Sequence, residues 1–296
     1  MEKDDLLKIV VIGGIIIAVV MASQNMNAQQ NTFHNNVMIN SGKQKMASVI
    51  CIGGDYTAPL RDLSGVYQDQ KSYIDFLDIL NELGIIDTTT RFVFKDKDAT
   101  YDNIQKATDK MLSGYDVVSF WYSGHGINGV GKGQLLVLPT FDLSRKSIVE
   151  KFQSSSNRLQ IVYNDSCATL GSHGISRATA PATPKIPEGR QTPEELKRVY
   201  SLLMLNHYGL FDVSSSNPNS NGGLGCVSYD TMEGGIFTRS FLRRQLIENP
   251  IDSFQVMFSR TYNTIKQMIQ QWKSESKEWN PQCEQDPVVF NYPRKI

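Results

Sequence analysis

A thiol and an imidazole stand at matching places in this chain. His125 follows the largely apolar run Asp116–Tyr122 (DVVSFWY) within Ser123-Gly124-His125-Gly126, and Cys167 follows Leu159–Tyr163 (LQIVY) within Asn164-Asp165-Ser166-Cys167. A free thiol titrates near 8.5, so little of it is thiolate at neutral pH unless a base takes its proton. An imidazole can be that base, and it can later hand the proton to a departing amine. The glycines beside His125 let a substrate backbone come close and leave the Gly126 N–H free to point outward. With the N–H of Cys167 it makes a candidate pair of donors for an acyl oxyanion, an interaction whose loss typically costs ~10²–10³ in rate. The residues therefore fit acyl transfer: attack on a carbonyl, a thioester, then hydrolysis. A lone histidine or cysteine after a strand is commonly structural, so the case rests on the pair, 42 positions apart. His34 and His207 have no cysteine at a comparable place; His173, six residues after Cys167, is a rival base.

Positioning such a pair requires neighbouring strands. Apolar runs that stop at glycine or polar residues describe strands buried on both faces of a parallel sheet. Ligands of open α/β sheets gather at the carboxyl ends of the strands, so His125 and Cys167 would emerge on one rim. Ala47–Ile52 reads as the first strand, and Gly65–Leu83 as a helix with apolar residues at Val66, Tyr73, Phe76, Leu77 and Leu80, closed by Gly84. Arg91–Lys95 follows as a strand and Tyr101–Leu112 as a helix. Beyond the first hub strand come an extended piece at Gln134–Leu138 and a helix over Ser144–Phe152. After Cys167, four prolines mark 172–193 as an exposed insertion. Helix Pro193–Leu205, strand Leu210–Val213, a Ser/Asn/Gly-rich loop over Ser214–Gly225, helices Phe237–Ile247 and Ile251–Trp272, and an edge strand at Asp286–Phe290 complete the pattern. The expectation is an α/β protein: a three-layer α/β/α sandwich around a mostly parallel central sheet.

Composition bounds the rest. The chain has 296 residues, 40% of them hydrophobic, enough for a sizeable core. Its 30 basic and 30 acidic residues cancel, so nothing argues for nucleic acid as a partner. Four cysteines, at 51, 167, 226 and 283, show no zinc-ligand spacing, and Cys51 reads as a small core residue. Ile9–Met21 is an unbroken run of 13 apolar or glycine residues. As a helix it covers ~20 Å of a ~30 Å hydrocarbon layer, and Leu6 and Leu7 extend it. Residues 1–22 are read as a single-pass membrane anchor, with a cleaved secretory signal as the alternative, since Val20-Met21-Ala22 is a passable cleavage site. Residues 23–46 form a polar linker, and one domain, 47–296, carries the insertion 172–193.

Ser123-Gly124-His125-Gly126 and Asp165-Ser166-Cys167 resemble the catalytic motifs of the caspase-like cysteine peptidases, and Tyr-Ser-Gly-His-Gly with Asp-Ser-Cys resembles the metacaspase branch most. Leu63-Ser64-Gly65 with Asp69, and Gly234-Gly235-Ile236-Phe237-Thr238, resemble two further family signatures in the expected order. The resemblance spans 47–296 and implies a caspase-like fold. It implies a cysteine endopeptidase acting on proteins or peptides, with Cys167 as nucleophile, His125 as acid/base, and the Gly126 and Cys167 amides as oxyanion donors. It also implies that Asp69 and Asp165 line a substrate pocket selecting Arg or Lys. The blander readings make Asp69 a solvated helix residue and Asp165 an N-cap or turn former. Two departures stand out. Ile127–Gln134 (INGVGKGQ) has one lysine and no carboxylate where metacaspases carry an acidic, calcium-associated stretch, so neither a metal nor a cofactor is implied. Ala168 replaces a histidine that commonly follows the nucleophile. A catalytically silent binding or regulatory module on the same fold is the alternative function.

Overall fold

Period-two alternation inside each apolar run decides which side chains meet which helices. Met46, Ile50 and Ile52 face one layer, and Ala47, Val49 and Cys51 the other. The strands are β1 (Lys45–Ile52), β2 (Asp87–Lys95), β3 (Val117–Ser123), β7 (Leu159–Asp165), β8 (Gly209–Ser214) and β11 (Val288–Tyr292). They form one six-stranded sheet in the order β11-β8-β7-β3-β1-β2, parallel except for the antiparallel edge strand β11. The computed structural model describes residues 44–57, 60, 62–129, 133–168, 191–219, 230–231, 233–275 and 285–292, all within the unit Lys43–Ile296.

On one face lie helices α1 (Val66–Glu82), α4 (Pro193–Leu205) and α6 (Phe254–Glu275), with the turn α5 (Ile236–Thr238) that runs into a π-wound segment, Arg239–Glu248. On the other lie α2 (Tyr101–Leu112) and α3 (Arg145–Gln153), whose Ile104, Ala107, Met111, Ile148 and Phe152 meet Val118, Phe120 and Val162 of the sheet. The mostly parallel, three-layer α/β/α sandwich expected from the sequence is the observed architecture. Local chemistry sets the helix ends: Thr192 and Glu195 form a reciprocal capping box ahead of Pro193, and Gly84 (φ +68°) takes the left-handed conformation beyond α1.

Several boundaries differ from the sequence reading. β1 starts at Lys45, inside the expected linker, because Lys45 pairs with Asp87 and Met46 pairs with Val117 and is buried. β2 starts four residues early, and β11 lies two residues later than expected. The piece at Gln134–Leu138 is extended, but it belongs to a separate antiparallel sheet of β4 (His125–Gly129), β5 (Gly133–Val137) and β6 (Asp142–Ser144), and β9 (Asp230–Thr231) pairs antiparallel with β10 (Gly234–Gly235). Among the described residues no helix is long and apolar enough to cross a membrane; the anchor expected at 1–22 and most of the insertion, 172–190, lie outside those residues.

Candidate active site

β3 and β7 are hydrogen-bonded neighbours in register, Trp121 beside Tyr163 and Ser123 beside Asp165. Gly124 N–H donates to the Asp165 carbonyl at 3.2 Å, so the two chains leave the sheet side by side. Beyond that point they stay in contact. A Cβ built on Gly126 would fall 2.5 Å from Ser166 Oγ and 2.9 Å from Ser166 Cβ, and still nearer the Cys167 carbonyl oxygen. Only a glycine lets the backbone after His125 lie this close to the backbone of Cys167. The structure thus brings His125, Gly126 and Cys167 together at the carboxyl edge of the sheet; His125 is half-buried and Cys167 is 8% exposed. His34 and His173 lie outside the described residues, and His207 sits just past α4, with its ring against Phe254.

Two tyrosines hold the histidine's main chain. Tyr56 Oη accepts from His125 N–H at 3.2 Å and donates to the Val137 carbonyl at 2.7 Å, while Tyr122 Oη lies 2.6 Å from both the His125 and the Val137 carbonyls. The Tyr56 ring also meets the imidazole edge-on, with centroids 4.6 Å apart, a favourable aromatic geometry. Tyr56 is held in turn by its own N–H donating to Asp62 at 2.9 Å.

The cysteine rests in a cradle of fully buried hydroxyls and one amide. Ser215 Oγ accepts from Ser166 N–H at 3.0 Å and donates to the Ser166 carbonyl at 3.1 Å, and Ser216 Oγ donates to that same carbonyl at 2.5 Å. Gln134 Nε2 lies 3.0 Å from the Cys167 carbonyl and 3.3 Å from both Ser166 Oγ and Ser216 Oγ. Sequence alone marks neither Gln134 nor Ser214–Ser216 as functional. A serine run after a strand reads as solvated loop, yet here Ser214, Ser215 and Ser216 are all 0% exposed. The usable signal was the lone polar residue at the head of the apolar stretch Gln134–Leu138.

Asp69 and Asp165 converge on the glycines before α5. Asp69 Oδ1 accepts from Gly235 N–H at 2.9 Å and its Oδ2 from Ser123 Oγ at 2.6 Å. Asp165 Oδ2 accepts from Thr238 N–H at 3.0 Å and Thr238 Oγ1 at 2.7 Å. Both residues are 1% exposed, so Asp69 is not a solvated helix residue, and Asp165 caps a helix turn remote in sequence rather than its own. An aromatic stack fixes this layout. Tyr73, one turn after Asp69, lies on Trp121 (4.6 Å), Trp121 on Tyr163 (3.7 Å) and Tyr163 on Phe237 (5.3 Å). Burial first, and the nearby Asp165 charge second, push the Tyr163 phenol well above its ordinary range. Among the described residues no group of three or more His, Cys, Asp or Glu could hold a metal ion.

No family model matches the sequence, and no curated protein does. Solved structures do match, 208 chains in all. Caspase-1 from Spodoptera frugiperda aligns over 84% of this chain and 86% of its own length, at 14% identity and a TM-score of 0.50. The fold is caspase-like. At that identity the likeness carries the arrangement of strands and helices and nothing about chemistry.

Proposed function

We propose that this chain is a cysteine endopeptidase. The observation that carries the reading is the close approach of Gly126, the residue after His125, to the Cys167 carbonyl at the ends of two adjacent parallel strands. In this reading the Cys167 thiolate attacks the scissile carbonyl carbon, forming a C–S bond and an oxyanion held by the Gly126 and Cys167 amides. Collapse breaks the C–N bond, and His125 gives its proton to the leaving amine. Water then attacks the thioester while His125 takes its proton, and cleavage of the C–S bond frees the acid and the thiol. No cofactor enters any step.

Specificity for Arg or Lys on the amino side of the cut, and kinship with metacaspases, belong to the same proposal. Asp69 and Asp165 support it, since two carboxylates beside the strand ends favour a cationic side chain. Asp69 accepts from Gly235 N–H and the Ser123 hydroxyl, and Asp165 from the N–H and hydroxyl of Thr238, so donors from three separate elements hold both carboxylates beside those ends. The N-terminal segment 1–22 is proposed as the membrane anchor. The low exposure of Cys167, 8%, favours a second reading in which the fold serves partner binding without turnover.

Arg-, Lys- and Asp-terminated fluorogenic peptides, offered to the full chain and to Cys167→Ala, separate the two. The peptidase reading expects turnover of the basic peptides that Cys167→Ala abolishes. Equal rates in the two proteins across pH and calcium concentration would leave only the binding module.

A further inference from the structure

The main-sheet ladder holds β3 against β7 as far as Gly124 N–H on the Asp165 carbonyl; β4 and β5, beyond it, pair in a separate sheet, so the hairpin past His125 is held to Cys167 by other contacts. Side chains supply several of them. Tyr56 and Tyr122 fix the His125 end, and at the other end Asn128 Nδ2 donates to the Pro218 carbonyl at 2.7 Å. A buried amide reaches from the hairpin to the cysteine's own peptide. Gln134 is opposite Asn128 in the β4/β5 pairing and is 2% exposed; its Nε2 meets the Cys167 carbonyl and the Ser166 and Ser216 hydroxyls, and its Oε1 faces the Ser214 hydroxyl at 3.3 Å.

We propose that Gln134 is a positioning residue for the nucleophile: its buried amide holds the Cys167 carbonyl and so fixes the thiol and its N–H against the His125 hairpin. The inference deepens the peptidase reading and rests on it for its catalytic consequence. A trans peptide points its N–H opposite to its C=O. Ser215 and Ser216 hold the Ser166 carbonyl, which aims the Cys167 N–H away from them; Gln134 holds the next carbonyl, that of Cys167. With both peptides anchored, φ and ψ of Cys167 have no freedom to swing. Remove the amide, and the plane after Cys167 loses its side-chain donor from the hairpin. A misplacement of about 1 Å at a reacting group costs ~10²-fold in rate.

Two variants of the full chain test this. Gln134→Met keeps the length and removes the amide; Gln134→Glu keeps the shape and donates to the carbonyl only when protonated. Hydrogen exchange over 164–168 should quicken at least about tenfold in Gln134→Met while β3 stays protected. The kcat should fall ~10²-fold with KM within about twofold. The rate of Gln134→Glu relative to wild type should climb as pH falls. Unchanged exchange over 164–168 overturns the inference whether or not the chain is active, and so does wild-type kcat in Gln134→Met. A flat ratio for Gln134→Glu counts against it equally. Wild-type chain no faster than Cys167→Ala refutes the peptidase reading instead, and exchange then decides the positioning claim alone.

Discussion

Gly126→Ala should silence the site while leaving the fold standing. Its Cβ would sit 2.5 Å from Ser166 Oγ and 2.9 Å from Ser166 Cβ, where ordinary contact begins at 3.4 Å. The Cys167 carbonyl is nearer still, and it is backbone that Gln134 already holds. Relief therefore needs the two strand ends to part by about 1 Å, a displacement that costs ~10² in rate when it separates reacting groups. Gly126 lies outside the main sheet, so the loss of stability should stay at ~1–3 kcal/mol, the usual cost of overpacking. The assay is kcat on an arginyl peptide, with thermal unfolding beside it. A fall of about a hundredfold with a Tm lowered by only a few degrees is expected. Wild-type kcat in a folded Gly126→Ala would refute the claimed closeness of the two backbones.

Other outcomes follow from the same geometry. Asp212→Ala leaves the buried Arg145 without its carboxylate, on the sheet face away from α1, and should cost about 3–5 kcal/mol in denaturant unfolding. Burial holds the His207 imidazole below its usual range, so the folded state binds its proton less readily than the unfolded chain does. Its contribution is intact above about pH 6.5 and drains away as pH falls below that value. Wild type should lose more stability between pH 7.5 and 5 than His207→Phe, and parallel losses would contradict this. Asp165→Asn should lower kcat/KM for Arg and Lys peptides ~10–100-fold and spare neutral ones, the scale of a lost charge-assisted hydrogen bond. An equal loss for every peptide would make Asp165 purely a cap for Thr238.

Some of this was legible in sequence because it is periodic. DVVSFWY and LQIVY announce strands buried on both faces, and a turn chemistry of Gly84 and Thr192-Pro193 ends or begins helices. The pairing of β3 with β7 follows from a single helical crossover, α3, between them. Other features depend on contacts between residues far apart in the chain. Ser214–Ser216 has the composition of a loop, and only the approach of Ser166 and Gln134 turns it into a buried cradle. Asp69 and Asp165 read as local carboxylates, whereas their hydrogen-bond donors come from Gly235 and Thr238, far along the chain. Gly-rich HGING has no alternation to mark it as a strand, so hairpin β4–β5 shows in the sequence only as the extended piece Gln134–Leu138.

The central claim is that one imidazole and one thiol act on the same amide bond. A peptidyl arginyl chloromethyl ketone, whose methylene carbon bonds to the thiolate sulfur as chloride leaves, reads this directly when adducts are mapped by mass spectrometry. Cys51 is fully buried, with its thiol pushed far up by that burial, and should stay unmarked. The account predicts a single adduct at Cys167 that forms at least about a hundredfold more slowly in His125→Ala. Labelling at Cys167 with the same rate in wild type and His125→Ala would contradict it.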